Sequence, residues 1–347
     1  MTISTEQIID ALRDAWPDVG LAVEPQPLTG GYWATIFRLR LTGTPDDVPV
    51  DAVLRVMPHP DMGAKEIAVQ AAVGEAGAPT PTVRLTGPAG GPLGDAWAVM
   101  DLAPGEPLLA GLDGAAALRQ LPRILTRLPS QLAHTMAAIH HIDPGPVMQR
   151  ARAAAPTVAL TLDEFRPHLR AGAQLTGRND LIDALDALAD HTPPHSGTVL
   201  CHGDLHPFNL LREGDRISVL DWTASLVAPP AYDVALTWLL LRYPPLATPP
   251  ALRPIIGGGA TVLARRFLHS YRRANPTAEL TNLDWYTALH ATRVLIDLAT
   301  WQNSDDPRAR RHPWNLVAPG AAHELTRTTG IDLNQSKPEH QAHASRR

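Results

Sequence analysis

The part of this sequence that most constrains its fold is a short apolar hairpin directly after a loop of polar side chains. Asn209 opens the apolar run 209–211, a turn signal is centred on Asp215, and the β-branched run 217–220 ends at Asp221. Two such runs around a turn that contains glycine predict an antiparallel β hairpin. With the turn centred on Asp215, we expect Asn209 and Asp221 to face each other across it.

The loop before the hairpin carries the residues that could perform chemistry. Residues 201–209 read Cys-His-Gly-Asp-Leu-His-Pro-Phe-Asn, which places Asp204 five residues before Asn209. Amide and carboxylate oxygens suit Mg²⁺, which usually takes one or two carboxylates together with substrate phosphates. The loop and the hairpin therefore predict a phosphoryl-transfer site, in which Asp204 orients a hydroxyl while Asn209 and Asp221 hold the metal.

A hydrolase with a metal centre is a second interpretation of the same loop. His202, Asp204 and His206 alternate, so on an extended strand they would share one face and could bind Zn²⁺ or a metal pair. Pro207 argues against a strand that continues through the loop, and no second His-rich cluster is evident. The residues by themselves leave this alternative open.

Charge and composition argue against several classes of partner. The 347 residues carry a formal net charge of −5, whereas nucleic-acid-binding domains are normally basic. No apolar run approaches the roughly 18 residues of a membrane span, and no signal peptide is evident at the start. The single cysteine, Cys201, excludes an intrachain disulfide. We therefore predict a cytoplasmic protein that binds neither nucleic acid nor membrane, with an oligomeric state that the sequence leaves open.

The pattern of elements changes near residue 103. Before it, Ser4 and Gln7 give a capping-box signal for one helix, and a second helix is predicted from an Asp61 cap to about Glu75. The predicted strands are 28–41 with a turn at 29–31, 52–56, 83–85 and 96–102. This part is expected to form a small antiparallel sheet with a helix.

The remainder of the chain has a mostly helical pattern. The predicted helices are 114–119, 130–141, 160–173, 181–189, 231–243, 254–274 and 283–302. Residues 334–347 are polar and nearly devoid of apolar side chains, which predicts a disordered tail. The fold class is therefore α+β, divided into 1–103, 104–333 and the tail.

Several motifs follow one another in a set order along the chain. They are Gly30-Gly31, Arg55 in a strand, Glu66 in the next helix, Gly-Ala-Pro-Thr-Pro at 77–81, Met100 to Gly105, His202-Gly203-Asp204 with Asn209, Asp221-Trp222, and Asp233 in Pro-Ala-Tyr-Asp. In this order the chain resembles the aminoglycoside phosphotransferase and choline kinase-like superfamily of small-molecule kinases. The resemblance covers about residues 25 to 300 and implies a two-lobed protein-kinase-like fold. We expect an actinobacterial member of that superfamily.

The resemblance also implies a role for each motif. Residues 1–103 would be the nucleotide-binding lobe, and residues 104–333 the catalytic and acceptor-binding lobe. The implied nucleotide-binding residues are Gly30, Gly31, Arg55, Glu66, Met100, Asp101 and Ala103. Asp204 would be the catalytic base, Asn209 and Asp221 would hold the metal, and His202 and Asp233 would give structural support. The implied cofactors are Mg²⁺ and ATP, or GTP, as phosphate donor.

Three positions at which this sequence differs from protein kinases indicate the kind of acceptor. Arg55 stands where those enzymes have a lysine, Gly203 replaces the arginine that senses activation-loop phosphorylation, and Asp-Trp-Thr at 221–223 replaces Asp-Phe-Gly. We therefore expect a small hydroxyl compound, such as an antibiotic or a metabolite, as acceptor. A nucleotide-binding pseudokinase is a further alternative, although such a module has no need of all three polar site residues.

The charge of the segment 251–330 bears on the kind of acceptor. It holds ten arginines and six acidic residues, a net charge of +4. A site for polycationic aminoglycosides should be lined by carboxylates. We therefore expect a neutral or anionic hydroxyl compound.

Five other residues are expected to be structural. Trp222 should pack in the core, and His206 should make a local hydrogen bond. His140 and His141 should cap a helix or lie at the surface. Cys201 should be a small buried side chain.

Overall fold

The computed structural model describes residues 3–28, 34–109, 114–194 and 197–333, with the backbone alone at 114–123. The predictions for Gly30, Gly31 and the tail 334–347 lie outside these residues. The chain forms two compact units, each from separate segments. The first comprises 1–117, 138–160 and 202–227, and the second comprises 118–137, 161–201 and 228–347. The predicted lobe boundary at residue 103 stays a prediction.

The described strands range from two to eight residues in length. They are β1 (Gly20–Leu21), β2 (Gln26–Pro27), β3 (Thr35–Thr42), β4 (Asp51–Met57), β5 (Val83–Gly87), β6 (Ala96–Asp101), β7 (Glu106–Pro107), β8 (Val199–Cys201), β9 (Leu210–Glu213), β10 (Arg216–Val219) and β11 (Leu226–Ala228).

The described α-helices dominate the second half of the chain. They are α1 (Thr5–Arg13), α2 (Pro60–Glu75), α3 (Gly114–His140), α4 (Pro144–Ala154), α5 (Leu162–Leu175), α6 (Asn179–Asp190), α7 (Pro230–Arg242), α8 (Arg253–Ala274), α9 (Leu283–Gln302) and α10 (Trp314–Thr329). No described helix is long and apolar enough to cross a lipid bilayer.

An antiparallel sheet in the first unit confirms the small sheet predicted from the sequence. Its order is β1-β3-β4-β6-β5, and β2 pairs with β3. The register places Arg55 of β4 beside Ile36 of β3 and Ala98 of β6. Because strands flank β4 on both sides, its backbone is fixed by hydrogen bonds and Arg55 has a defined position.

Helix α1 packs its apolar side chains against this sheet. Both bonds of the predicted capping box are present, from the Gln7 N–H to Ser4 Oγ at 3.2 Å and from the Ser4 N–H to Gln7 Oε1 at 2.9 Å. Ile8 and Leu12 then join the same buried cluster as Leu54 of β4. The cap thus sets the start of the helix, and burial of its apolar face holds it on the sheet.

Helix α2 follows β4 and carries Glu66. It begins at Pro60, which suits the first turn because proline lacks the N–H that would be unpaired there. The predicted Asp61 cap is wrong, since His59 is the N-cap residue and Asp61 lies in the first turn. A carboxylate in that turn still stabilises the helix, because its negative charge lies near the positive end of the helix dipole. The helix ends at Glu75, as predicted.

The hairpin predicted after the polar loop is confirmed as β9 and β10. Strand β7 pairs with β9 to complete a three-stranded sheet. Thr80 fastens this sheet to the chain before β5, because its hydroxyl donates to the Val219 carbonyl at 2.9 Å and accepts from Trp222 Nε1 at 3.0 Å. Trp222 is fully buried, as expected for a packing residue.

Gly105 allows β7 to approach β9 closely. Its φ is +98°, and a Cβ at this position would lie 2.4 Å from the carbonyl oxygen of Arg212. Any other residue would both strain the backbone and clash with β9. Gly105 therefore sets the path of the chain from β6 into the sheet that holds the hairpin.

Helix α9 is the centre of the second unit. It contacts α5, α6, α7 and α10, and most of its residues are buried. Trp285 donates from Nε1 to the Leu188 carbonyl of α6 at 2.9 Å, and His290 Nε2 lies 2.9 Å from the Tyr232 carbonyl of α7. A helix covered on all sides needs few polar residues, which explains its apolar sequence.

Three helices after residue 103 differ from the sequence prediction. The predicted segments 114–119 and 130–141 belong to the single helix α3, and α4 and α10 were not predicted. Leu128, Leu132 and Met136 form a continuous buried face in α3, so packing outweighs the low helix propensity of Pro129. His140 is the last residue of α3, in agreement with the expected helix end, and it is buried with only 6% exposure.

We expect Gly105→Ala to destabilise the protein more than Gly90→Ala. Both glycines have positive φ, but nothing lies within 4 Å of the Cβ position at Gly90. The backbone strain common to both should cost about 1 to 2 kcal/mol, and the clash with β9 should add about 1 to 3 kcal/mol at Gly105. Denaturant unfolding of the two variants measures the difference, and equal losses would contradict the close packing described at β9.

Candidate active site

Arg55 is the centre of a buried ion cluster in the first unit. Its Nη1 lies 2.7 Å from Glu66 Oε1, and its Nη2 lies 3.2 Å from Asp221 Oδ2. The side chain of Arg55 is 12% exposed, and that of Glu66 is 4% exposed. Burial lowers the pKa of Arg55, but the two carboxylates outweigh it and raise that pKa above its ordinary value. The structure thus contains the predicted Arg55–Glu66 pair and extends it to Asp221.

A single hydroxyl, that of Thr223, contacts both carboxylates of this cluster. Its Oγ1 lies 2.7 Å from Glu66 Oε2 and 2.7 Å from Asp221 Oδ1. A hydroxyl has one hydrogen and can donate to only one of them. Burial raises the pKa of Glu66 to about 7, although the charge of Arg55 opposes this. When Glu66 holds its proton, it can donate to Thr223, which then donates to Asp221.

Asp221 has an unusual backbone conformation. With a φ of +64°, it is one of two non-glycine residues with positive φ in the described part of the chain. The left-handed conformation ends the extended backbone that follows β10 and changes the direction of the Asp221 carboxylate. Backbone strain of this kind is often found at functional sites. The side chain is 36% exposed. Burial raises the pKa of Asp221, but Arg55 and the bond from Thr223 outweigh it, so the pKa is lowered and the carboxylate is ionised.

His202 braces the polar loop against the residue before Asp221. Its Nε2 lies 3.0 Å from the Leu220 carbonyl, and its Nδ1 accepts from the Asp204 N–H at 3.2 Å. These partners assign the tautomer with hydrogen on Nε2. The ring is fully buried and packs on Trp222 at a centroid distance of 4.8 Å. The supporting role of His202 stays a prediction.

The backbone conformation of the loop requires glycine at position 203. Its φ is +76°, and a Cβ would lie 2.1 Å from the Ala224 carbonyl oxygen. The arginine that protein kinases have at this position could not be placed here without moving the chain. The absence of that arginine therefore has a steric reason, in addition to the regulatory one inferred from the sequence.

Asp204 is held by two neighbours in the loop. Asn209 Nδ2 donates to the Asp204 carbonyl at 3.0 Å and lies 3.4 Å from Asp204 Oδ2. His206 Nε2 lies 3.6 Å from the same Oδ2, while its Nδ1 accepts the Phe208 N–H at 3.3 Å. Burial lowers the pKa of His206, but the charge of Asp204 outweighs it and raises that pKa. The local bond expected for His206 is present, and the ring also faces the carboxylate.

The register of the hairpin differs from the prediction by one residue. Val219 pairs with Leu210, and the Leu220 N–H donates to the Asn209 carbonyl at 2.9 Å. Asn209 therefore lies opposite Leu220, and the expectation that it faces Asp221 is wrong. The cause is the turn, which contains two residues rather than three and so moves the centre of the hairpin by half a residue.

The oxygen atoms around this loop suit Mg²⁺. Because Asn209 directs Nδ2 at Asp204, its carbonyl Oδ1 is the atom that it can offer to a cation. Asp221 offers an ionised, partly exposed carboxylate. Neutral and anionic oxygen donors are the ligands that Mg²⁺ prefers. The residues fit the ion, and their assignment as its ligands stays a prediction.

The geometry speaks against the metallohydrolase alternative. Both ring nitrogens of His202 are engaged by backbone groups, so neither has a lone pair directed at a metal. His206 likewise uses Nδ1 to accept a backbone N–H. The alternation of histidine and aspartate at 202–206 therefore does not assemble a zinc-binding face.

Three of the predicted nucleotide-binding residues, Met100, Asp101 and Ala103, differ in their surroundings. Met100 lies in β6 between β4 and β5, so strands flank its backbone on both sides. Asp101 donates its N–H to the Thr82 carbonyl at 3.0 Å, and its carboxylate accepts two bonds from Arg84 at 2.7 and 3.0 Å. Ala103 follows the end of the strand. An adenine contact through the backbone is therefore easier to accommodate at Ala103 than at Met100 or Asp101.

Asp233 and Cys201 lie in the second unit. Asp233 is fully buried in the first turn of α7, and its structural role stays a prediction. Cys201 is also fully buried, and its Sγ lies 3.7 Å from the Ala228 carbonyl. Burial and the charge of Asp233 raise the pKa of the thiol well above its ordinary value. Cys201 is therefore an unreactive packing residue, as expected.

Three residues near the cluster were not singled out from the sequence. Thr80 holds the hairpin, Thr223 contacts both carboxylates, and the buried Lys65 donates from Nζ to the Thr223 carbonyl at 3.2 Å. A threonine two residues after an aspartate is a local hydrogen-bonding signal that could have indicated Thr223. Lys65 and Thr80 carry no comparable signal, because their partners lie more than 130 residues away.

Comparisons with known proteins indicate the family and the fold of this chain. The model of the phosphotransferase enzyme family matches residues 24–268. A search of curated proteins finds no match. These findings do not bear on the expected actinobacterial source, which stays a prediction.

Solved structures share the fold over nearly the whole chain. One from Ralstonia eutropha JMP134, provisionally described as an aminoglycoside phosphotransferase, has a TM-score of 0.65 and 17% identity, covering 95% of this chain and 100% of that one. The GDP complex of aminoglycoside 2′-phosphotransferase-IIIa has a TM-score of 0.56 and 16% identity, covering 94% and 98%. A mutant APH(4)-Ia with ADP and hygromycin B has a TM-score of 0.57 and 18% identity, also covering 94% and 98%. The predicted α+β protein-kinase-like fold is confirmed.

We expect Glu66→Gln to flatten the pH dependence of stability between pH 4.5 and 7. The ordinary pKa of this carboxyl is 4.5, and burial raises it to about 7 in the folded protein. In this window the folded state keeps a proton that the unfolded chain releases. The contribution of Glu66 to stability is therefore complete below pH 4.5 and is lost as the pH rises through 7.

Denaturant unfolding of both proteins across this pH range measures the difference in slope. Glu213→Gln, which removes an exposed carboxylate from β9, controls for the loss of one negative charge. Parallel curves for the wild type and Glu66→Gln would contradict the raised pKa.

Proposed function

Because this chain belongs to the phosphotransferase enzyme family, we propose that it transfers the γ-phosphate of ATP or GTP to a hydroxyl of a small molecule. The observation that carries the proposal is the set of Asp204, Asn209 and Asp221 beside the Arg55 cluster in the first unit. Asn209 touches Asp204, and the charge of Asp204 acts on Asp221. Phosphoryl transfer needs little covalent chemistry from a protein, so positioned charges of this kind are the main requirement.

Each residue of the set has a distinct role in the proposal. Asp204 accepts the proton of the acceptor hydroxyl, and the contacts from Asn209 and His206 orient its carboxylate. Asn209 Oδ1 and the Asp221 carboxylate would hold Mg²⁺, which when bound neutralises charge on the phosphates. His202 and Gly203 keep this loop next to the segment 220–224.

The nucleotide is proposed to lie against the first unit. Arg55 would supply positive charge to the phosphates in place of the usual lysine, with Glu66 fixing its position. Ala103 would meet the adenine or guanine base. Gly30 and Gly31 are proposed to cover the phosphates. The GDP and ADP complexes of proteins with this fold support a nucleotide donor, and they do not distinguish ATP from GTP.

The acceptor is proposed to be a neutral or anionic hydroxyl compound. Four of the six acidic residues in the basic segment 251–330 already form ion pairs with arginines. These pairs are Arg293–Asp297 at 3.8 Å, Arg308–Asp306 at 2.6 Å, Arg327–Asp284 at 3.2 Å and Arg327–Glu324 at 2.9 Å. Fewer carboxylates thus remain to bind a polycation. The hygromycin B complex concerns another protein, and the net charge of +4 in the segment 251–330 favours a different acceptor.

We assign nucleotide binding to residues 1–103 and catalysis with acceptor binding to residues 104–333. We also propose a cytoplasmic location.

We expect Asp204→Asn to bind nucleotide with Mg²⁺ as the wild type does and to lose transfer. Removal of a general base typically lowers the rate by about 10²-fold to 10⁴-fold. Calorimetric titration with ATP and with GTP, each with and without Mg²⁺, gives the affinities, and product formation gives the rate. Asp215→Asn, in the exposed turn of the hairpin, is a matched control that should keep full activity. Transfer that survives in Asp204→Asn would show that the base is another group.

We expect neutral or anionic hydroxyl compounds to be better acceptors than aminoglycosides, because the segment 251–330 within the proposed acceptor-binding part is basic. A screen of hydroxyl compounds of each charge class, with kcat/KM measured for every active compound, tests this. A screen in which aminoglycosides alone accept phosphate would contradict the proposed acceptor class and leave the phosphotransferase assignment intact.

A further inference from the structure

Thr223 contacts two carboxylates of the candidate site, those of Asp221 and Glu66. Its hydroxyl lies 2.7 Å from Asp221 Oδ1, and its backbone N–H lies 3.4 Å from the same oxygen. Two polar groups of one residue thus converge on one oxygen of Asp221. The opposite oxygen, Oδ2, is met by Arg55 at 3.2 Å. The orientation of the carboxylate is therefore determined from both sides.

Helix α2 holds Thr223 at two points. Lys65 donates from Nζ to the Thr223 carbonyl at 3.2 Å, and Glu66 Oε2 lies 2.7 Å from its hydroxyl. Lys65 and Glu66 are consecutive residues, and both are only 3% exposed. Because the bonds reach both the backbone and the side chain of Thr223, the residue cannot rotate or shift without breaking one of them.

Asp221 needs such support because its backbone is strained. A non-glycine residue with a φ of +64° keeps this conformation only when its surroundings enforce it. The side chain is also 36% exposed, so core packing alone does not fix its rotamer. Hydrogen bonds from Thr223 and Arg55 are what determine where its oxygens lie.

We propose that Thr223 is a positioning residue, which aligns the Asp221 carboxylate for a divalent cation and links that alignment to helix α2. The inference rests on the proposed function, since it assumes that Asp221 is a metal ligand. Thr223 itself touches neither metal nor substrate in this proposal. Residues that orient metal ligands through hydrogen bonds commonly change metal affinity by about 10-fold to 100-fold when they are substituted.

The test compares three substitutions with a readout other than turnover. Thr223→Val keeps the shape and removes the hydroxyl, whereas Thr223→Ser keeps the hydroxyl. Thr80→Val is the matched control, because Thr80 bonds to Val219 and Trp222 in the same region but to no carboxylate of the cluster. The probe is Mn²⁺, whose binding in the presence of a non-hydrolysable ATP analogue is followed by electron paramagnetic resonance. Calorimetry gives the affinity for the analogue without metal.

We expect Thr223→Val to weaken Mn²⁺ binding by about 10-fold or more and to change the metal-free nucleotide affinity by less than about 3-fold. Thr223→Ser should restore Mn²⁺ affinity to within about 3-fold of the wild type, since it again supplies the O–H donor. Thr80→Val should lower the midpoint of thermal unfolding without an equal loss of Mn²⁺ affinity. If Thr223→Val does not fold, Thr223→Ala is measured in the same way.

The outcomes separate this inference from the proposed function. A wild type whose Mn²⁺ binding does not depend on nucleotide would overturn both. Nucleotide-dependent Mn²⁺ binding that is the same in Thr223→Val as in the wild type would overturn the role of Thr223 alone. Equal losses of Mn²⁺ affinity in Thr223→Val and Thr80→Val would show general loosening of the region and would also overturn it.

Discussion

The geometry of the site depends on one buried guanidinium, that of Arg55, which holds Glu66 at 2.7 Å and Asp221 at 3.2 Å. These three residues come from a central strand, a helix and the segment after a hairpin. Charged groups with little exposure are costly unless they are paired and hydrogen-bonded. The cluster therefore constrains all three elements at once, because a shift of any of them would leave a buried charge without its partner.

A second set of contacts makes the polar loop and the segment after the hairpin one rigid piece of backbone. His202 joins Asp204 to Leu220, and Gly203 lies so close to the Ala224 carbonyl that no Cβ would fit. The backbone of the candidate base is thus fixed relative to that of the candidate metal ligand by the buried His202 ring and by the close approach of Gly203 to Ala224. A catalytic constellation needs such support if its groups are to keep their positions during reaction.

Much of the fold and part of the site could be predicted from the sequence, and the failures have identifiable causes. The central strands, the hairpin and the capping box of α1 were predicted because their signals are local: alternation, a glycine turn and a serine three residues before a glutamine. The Asp61 cap was wrong by two residues and the facing of Asn209 and Asp221 by one, and shifts of this size are not resolved by sequence pattern. The continuity of α3 was missed because buried packing outweighed proline.

The sequence by itself determined which chemical groups are available and in what order, since the ordered motifs indicated the kinase-like fold and a phosphoryl-transfer site. Only the tertiary structure decided how those groups are held. Thr223 reaches Glu66 across 157 residues, and Arg55 reaches Asp221 across 166 residues. Contacts over such separations leave no local pattern, because they arise from the packing of elements and not from neighbouring residues.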